Sequence, residues 1–287
     1  MIIGDRMEKL KTGFVAALDQ SGGSIEKTLF SYGVINLNSD LFEIIHDMRV
    51  RVLKNLDYSK IKGIILFEDE VKRKIDEKYT VDYLLDRKVV SFVKIDKGLE
   101  EMKNGVSLMK NIPNLEETLY LLKEKNVFGT KMRSVIYEND VEGIRKLVNQ
   151  QFSIAKVIIN HGLVPIIEPE VDINASEKKE CEITLKREID RNLETLANNK
   201  VILKLTLPSE ENFYFDYTFN KNILMVLALS GGYSKGTACK KLSKNKGVIA
   251  CFSRALLEGL NINQSDFEFK NILDKNVYDI YVASVNK

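Results

Sequence analysis

A chain of 287 residues has room for a large core and matches the larger single-domain α/β folds of roughly 250 residues, while 44% hydrophobic and 29% charged residues exclude a disordered or fibrous protein. The 43 lysines and arginines against 41 aspartates and glutamates leave a net charge of +2, which implies neither nucleic acid nor an anionic membrane as partner. No apolar run approaches the ~20 residues of a membrane span; the three scattered cysteines (Cys181, Cys239, Cys251) and two histidines (His46, His161) give no disulfide framework or metal-ligand spacing, so a cytoplasmic, metal-free protein is expected.

In chain order, "MIIGDRMEKLKTG" has charges within its first six residues and no apolar segment, and does not read as a secretory signal. "GFVAAL" (Gly13–Leu18) is the first predicted strand and runs into Asp19 of "ALDQSGGS". A helix follows over "SDLFEIIHDMRVRVLKN", opened by a Ser/Asp cap. "IKGIILF" (Ile61–Phe67) and "VVSFVKI" (Val89–Ile95) are the next strands, the latter carrying Lys94. "VFGTKM" (Val127–Met132) ends in Lys131 and Arg133, and "NDVEGIRKLVNQQFSIAKVIINHG" reads as a helix stopped by a glycine. "LVPIIE" (Leu163–Glu168) ends in Glu168 and Glu170, and "VILKLT" (Val201–Thr206) holds Lys204 among branched apolar residues. "ILMVLAL" (Ile223–Leu229) gives way to "SGGYS" with Ser230, Gly231 and Gly232, and "GVIACF" (Gly247–Phe252) to Ser253 and Arg254.

Strands alternating with helices imply parallel pairing through right-handed crossovers. The runs number eight, only four prolines occur and no Gly/Ser-rich linker divides the chain, so residues 1–287 are expected to form a single-domain (β/α)8 TIM barrel, with an open doubly wound sheet as the alternative. A barrel brings the strand ends to one mouth, where barrel enzymes do their chemistry.

Taken singly, Asp19 is an ordinary helix cap, "KMR" an ordinary surface ion-pair segment, and "QSGGS" and "SGGYS" ordinary turns. The runs "KKLSKNK" (Lys240–Lys246) and "SEKKECE" (Ser176–Glu182) read as solvated helix or loop. Lys204 is different, because a charged amine inside an apolar strand is costly to bury. Beside Lys131 its pKa is expected to fall, giving a neutral amine able to attack a ketone. The iminium so formed is an electron sink for carbon–carbon cleavage. Glu168 suits the proton transfers of carbinolamine dehydration, and Asp19 the substrate hydroxyl. Ser230, Gly231, Gly232 and Arg254 suit a phosphate, which together with the lysine points to a phosphorylated ketose.

The segments "AALDQSGGS", "GIILFE", "VKIDKGL", "FGTKMRS", "GLVPIIEPEVDIN", "VILKLTLP", "LSGGYS" and "FSRAL", in this order along nearly the whole chain, resemble the class I (Schiff-base) fructose-1,6-bisphosphate aldolases, particularly their shorter bacterial branch. The resemblance implies metal- and cofactor-independent cleavage of fructose 1,6-bisphosphate to dihydroxyacetone phosphate and glyceraldehyde 3-phosphate, in glycolysis and gluconeogenesis. It makes Lys204 the Schiff-base lysine, Glu168 the main acid/base, Glu170 its partner carboxylate beside the lysine, and Asp19 the aspartate assisting cleavage. Lys94, Lys131 and Arg133 are the basic lining of the mouth, and Ser230, Gly231, Gly232 and Arg254 the site for the phosphate next to the ketone. An even-numbered homo-oligomer is implied at the family level.

The chain departs from the animal-type pattern in three regions. Thr28 stands where an arginine holds the distal phosphate, leaving Ser24 and Lys27 to share that task; Cys251 and Ser253 replace a serine and a glycine; and "YVASVNK" lacks the terminal tyrosine, for which Tyr278 and Tyr281 are candidates. Other readings are a different Schiff-base enzyme, such as a transaldolase or deoxyribose-phosphate aldolase type, and a noncatalytic sugar-phosphate-binding barrel.

Overall fold

The computed structural model describes residues 13–35 and 40–286. The amino-terminal stretch read as lacking a secretory signal, and Ser39 of the helix cap, lie outside the described residues. Eight parallel strands form the barrel: β1 Phe14–Leu18, β2 Ile61–Phe67, β3 Val90–Lys94, β4 Gly129–Ile136, β5 Val164–Val171, β6 Val201–Thr206, β7 Ile223–Leu229 and β8 Val248–Phe252. Each pairs with the next, and β8 returns to β1 through Val15↔Cys251 and Ala16↔Phe252. The ring is closed, which excludes the open doubly wound sheet.

β2, β6 and β7 keep their expected bounds, whereas β4 and β5 run further. β4 continues through Arg133 and Ser134 to Ile136, and β5 through Pro169 and Glu170 to Val171. Their polar residues are therefore part of the strands and not of the loops beyond them. An interior that turns polar toward its mouth accommodates Arg133 and Glu170 there.

Alternation along each strand separates two apolar layers. Phe14, Ala16 and Leu18 belong to the layer between barrel and helices, while Val15 and Ala17 point into the barrel with Ile65, Phe92, Phe128, Ile166, Ile202, Leu227, Ile249 and Cys251. Continuing the same alternation by two residues puts Asp19 above Ala17, Lys94 above Phe92, Glu168 above Ile166 and Lys204 above Ile202. Lys204 interrupts an apolar strand because it is the step at which the interior passes from hydrocarbon floor to polar mouth.

Phe92 and Phe128 meet edge-on near the floor, with ring centroids 5.4 Å apart. Gly129 makes room for them: a Cβ there lies 2.1 Å from the Val164 carbonyl oxygen and 2.9 Å from the Phe92 ring. Gly129→Ala is expected to cost about 1–3 kcal/mol through overpacking against backbone, read as a melting temperature lower by several degrees. An unchanged melting temperature contradicts this account of the floor.

The described helices are α1 Gly23–Ser31, α2 Leu41–Asn55, α3 Thr80–Asp86, α4 Leu115–Glu124, α5 Val141–Asn160, α6 Lys178–Leu193, α7 Lys235–Leu242, α8 Arg254–Leu257 and α9 Asp266–Val285. Asp40 caps α2 by accepting from Phe42 N at 2.9 Å, and α5 stops at Gly162, whose φ of 72° suits glycine. The stretch read as solvated at Ser176–Glu182 departs at its end: Cys181 and Glu182 are buried, and Glu182 pairs with Lys178 and accepts from Ser209 N at 3.0 Å. No helix among the described residues is long and apolar enough to cross a membrane.

Candidate active site

Four ionisable side chains, Asp19 just past β1 and Lys131, Glu168 and Lys204 within β4, β5 and β6, meet in the barrel mouth, each under one-tenth exposed. Lys131 on β4 lies between two carboxylates, donating at 2.9 Å to Asp19 Oδ2 and ion-paired at 2.6 Å to Glu168 Oε2. Glu168 Oε1 lies 2.9 Å from Lys204 Nζ. The order Asp19, Lys131, Glu168, Lys204 alternates in sign and sums to zero. Buried charges are tolerable in this arrangement, since each has an opposite neighbour.

Burial by itself pushes Asp19 and Glu168 upward, yet Lys131 and Lys204 outweigh it and hold both carboxyls below their ordinary values. Burial likewise pulls Lys131 down, and Asp19, Glu168 and Asp96 more than reverse it.

Lys204 corrects an expectation. Burial and Lys131 lower its pKa, but the balance lies above the ordinary lysine value because Cys251, Glu168 and Asp19 favour the ammonium. Cys251 exerts its pull only as a thiolate, and burial pushes its thiol up to about 12, so at neutral pH Glu168 is the nearest effective counter-charge. The cation beside Lys204 was visible in the sequence. Glu168 was visible too, but not its place between the two amines.

Around this quartet lie two further pairs. Lys94 Nζ donates at 2.6 Å to Asp96 Oδ1, and Arg133 Nε donates at 2.5 Å to Glu170 Oε2. The Arg133 backbone N–H reaches Asp96 Oδ2 at 3.3 Å, which links the pairs. Glu170 thus holds Arg133, and the carboxylate in contact with Lys204 is Glu168.

Sequence reasoning missed Asp96, although it stands two residues after Lys94 in the same quoted segment. It also missed Gln151 of α5, which is fully buried, accepts from Glu168 N at 2.9 Å and donates to Ser134 Oγ at 3.0 Å. A glutamine within a helical pattern gives no sign of such a role.

On the other side of the mouth, Ser230 is buried and accepts from Tyr233 N at 2.9 Å in the turn after β7. Gly231 and Gly232 have φ of 59° and 116°, and a Cβ on Gly232 lies 3.1 Å from Arg254 Nη2. The bare backbone of Gly232 therefore faces the guanidinium, as an anion cradle requires. Ser253 opens α8 and accepts from Gln20 Nε2 at 2.8 Å.

Ser24 and Lys27 stand apart. Ser24 is exposed and closes its own turn, donating to Ser21 O at 2.7 Å, and Lys27 is exposed on α1. Neither tyrosine candidate reaches the mouth: Tyr278 is exposed on the outside of α9, and the Tyr281 ring lies 5.9 Å from Lys60 Nζ, beside the residue that precedes β2 at the opposite end of the barrel. Among the described residues no group of three or more His, Cys, Asp or Glu could hold a metal ion.

A family model described as fructose-bisphosphate aldolase class-I matches residues 3–211. The fructose-bisphosphate aldolase class 1 of Clostridium acetobutylicum is 49% identical over 289 aligned residues, covering 98% of each chain, including the turns after β7 and β8. Among solved structures, fructose-bisphosphate aldolase from Plasmodium falciparum superposes with a TM-score of 0.77 at 18% identity, over 98% of this chain and 93% of that one. A putative orotidine 5'-phosphate decarboxylase from Streptomyces avermitilis superposes with a TM-score of 0.53 at 11% identity, over 98% and 95%. At such identities the superpositions speak for the barrel alone.

Proposed function

Because the chain belongs to the class I fructose-bisphosphate aldolase family, we propose that Lys204 is the lysine through which it cleaves fructose 1,6-bisphosphate. The activity is that of a Schiff-base lyase acting on a phosphorylated sugar. The observation that carries the assignment of Lys204 is its 2.9 Å ion pair with Glu168, deep in the mouth and beside a second amine.

In this reading Lys204 first passes a proton to Glu168 Oε1, and the neutral amine attacks the C2 carbonyl of the open-chain ketose. Glu168 returns the proton to the carbinolamine hydroxyl, which leaves as water and yields the iminium. Asp19, kept ionised by Lys131, takes the proton of the C4 hydroxyl while the C3–C4 electron pair flows into the iminium. Lys131 steadies both carboxylates throughout. Lys94 and Arg133, each oriented by its own carboxylate, supply positive charge along the substrate.

The reading gives the ketone-side phosphate to Ser230, Gly231, Gly232, Ser253 and Arg254, supported by the positive-φ backbone facing a guanidinium. Ser24 and Lys27 are proposed for the distal phosphate on resemblance alone. One barrel domain, a cytoplasmic location and homo-oligomeric assembly complete the proposal; three free cysteines support the location.

Borohydride reduction in the presence of dihydroxyacetone phosphate, followed by peptide mapping, tests it. One adduct on the peptide containing Lys204 is expected. An adduct on Lys131 or Lys94 would reassign the nucleophile, and folded protein that binds the ligand without trapping it would overturn the covalent mechanism.

A further inference from the structure

Arg49 on α2 is among the largest fully buried side chains, and nothing described so far uses it. Its Nη1 donates at 2.9 Å to Glu70 Oε1, and Glu70 Oε2 in turn meets His46 Nδ1 at 2.8 Å. Its Nη2 donates at 2.6 Å to the backbone carbonyl of Gln20, the residue after Asp19. From the other side, Gln20 Nε2 donates to Ser253 Oγ, the residue before Arg254. A line of hydrogen bonds thus runs from α2 through the loop after β1 to the turn after β8.

Its place in the fold gives this line a purpose. The ladder joining the first strand to the last runs through Val15↔Cys251 and Ala16↔Phe252, below the mouth. Above it, the Gln20–Ser253 bond continues the seam and connects the Asp19 side of the site to the phosphate side. A buried guanidinium is an expensive way to fill space, since one carboxylate seldom recovers its desolvation, and Arg49 Nε has no partner. Packing alone would be served by an apolar side chain.

We propose that Arg49 and Gln20 are positioning residues that lock the Asp19 loop to the Ser253–Arg254 turn and so fix the spacing between the carbon–carbon cleavage site and the phosphate site. The inference rests on the functional reading above. The two residues act at different points: Arg49 fixes backbone next to Asp19, and Gln20 fixes the turn that presents Arg254.

Steady-state kinetics with fructose 1,6-bisphosphate separates them. Gln20→Met, of similar volume, is expected to raise KM about three- to tenfold, the worth of one hydrogen bond, with kcat within about twofold, because Asp19 keeps its own bond to Lys131. Arg49→Lys keeps a cation for Glu70 but cannot also reach Gln20, and is expected to lower kcat by a similar factor. Gln20→Met combined with Ser253→Ala should match the worse single variant, since both changes delete the same bond. Additive losses in that pair, or a parental KM for Gln20→Met, would overturn the proposal, as would kcat and KM worsening together in every variant in step with melting temperature. If Arg49→Lys does not fold, the Gln20 and Ser253 variants decide alone. Borohydride trapping of the parent reports separately on the underlying reading, and if it fails, the same cycle is read from the dissociation constant of inorganic phosphate.

Discussion

Lys204→Met should abolish turnover while leaving a folded barrel. Methionine replaces the stem of the lysine, and Glu168 keeps Lys131 at 2.6 Å, so the remaining carboxylates are not stranded. Among the described residues no other amine is placed to take over. Lys131 is held between two carboxylates, Asp19 and Glu168, where Lys204 meets only Glu168, and Lys94 is tied to Asp96. A fall in kcat of at least about four orders of magnitude is expected, roughly 5.5 kcal/mol of barrier, with loss of the borohydride adduct. Circular dichroism and melting should show native structure, with a loss of about 1–3 kcal/mol from the missing counter-charge. Turnover within about tenfold of the parent would remove Lys204 from the mechanism.

Lys131→Met should damage stability as well as rate. In the parent, Asp19 and Glu168 both have folded pKa values below their unfolded values of about 3.9 and 4.3, so they stabilise the fold above that range and the contribution is lost as pH falls. Without Lys131 two buried carboxylates share one cation, Lys204. Burial then dominates and at least one folded pKa rises above its unfolded value. The sign of the linkage reverses: that group destabilises at neutral pH and becomes less unfavourable as acid protonates it. Urea unfolding should show the variant less stable than the parent by about 3–5 kcal/mol at pH 7, with the gap narrowing toward pH 4. A gap independent of pH would mean that Lys131 contributes packing rather than charge.

The barrel was legible because its strands are short apolar runs bounded by turn residues; β2, β6 and β7 occupy the expected spans for that reason. β4 and β5 were read too short because Arg133 and Glu170 look like loop residues until a polar interior is known to receive them, and Ser134 does until Gln151 of α5 is known to meet it. Lys204 announced itself by being a charge among branched hydrocarbons. Asp96, Gln151 and Arg49 did not, because a polar residue in a helix or loop looks the same in sequence whether it meets water or a buried partner. Gln151 finds Ser134 and the Glu168 backbone 17 residues away in either direction, and Arg49 finds Gln20 at a separation of 29. The sign of the Lys204 shift failed for a related reason: burial and Lys131 suggested an amine held neutral, and the groups that outweigh them, Cys251 and Glu168, stand on other strands.

The raised pKa of Lys204 looks unhelpful to a nucleophile, but the covalent step of the proposed mechanism can be written as a whole. An ammonium and a ketone become an iminium and water, so the nitrogen is cationic at both ends and no proton is gained from or lost to solvent. The resting quartet, with its two anions and two cations, has the same charge after the bond is made. What Glu168 and Asp19 stabilise at rest as a protonated amine they would stabilise afterwards as the electron sink. On the proposed mechanism the resting protein is thus already the electrostatic mould of its own covalent intermediate, with the ammonium holding the place of the iminium.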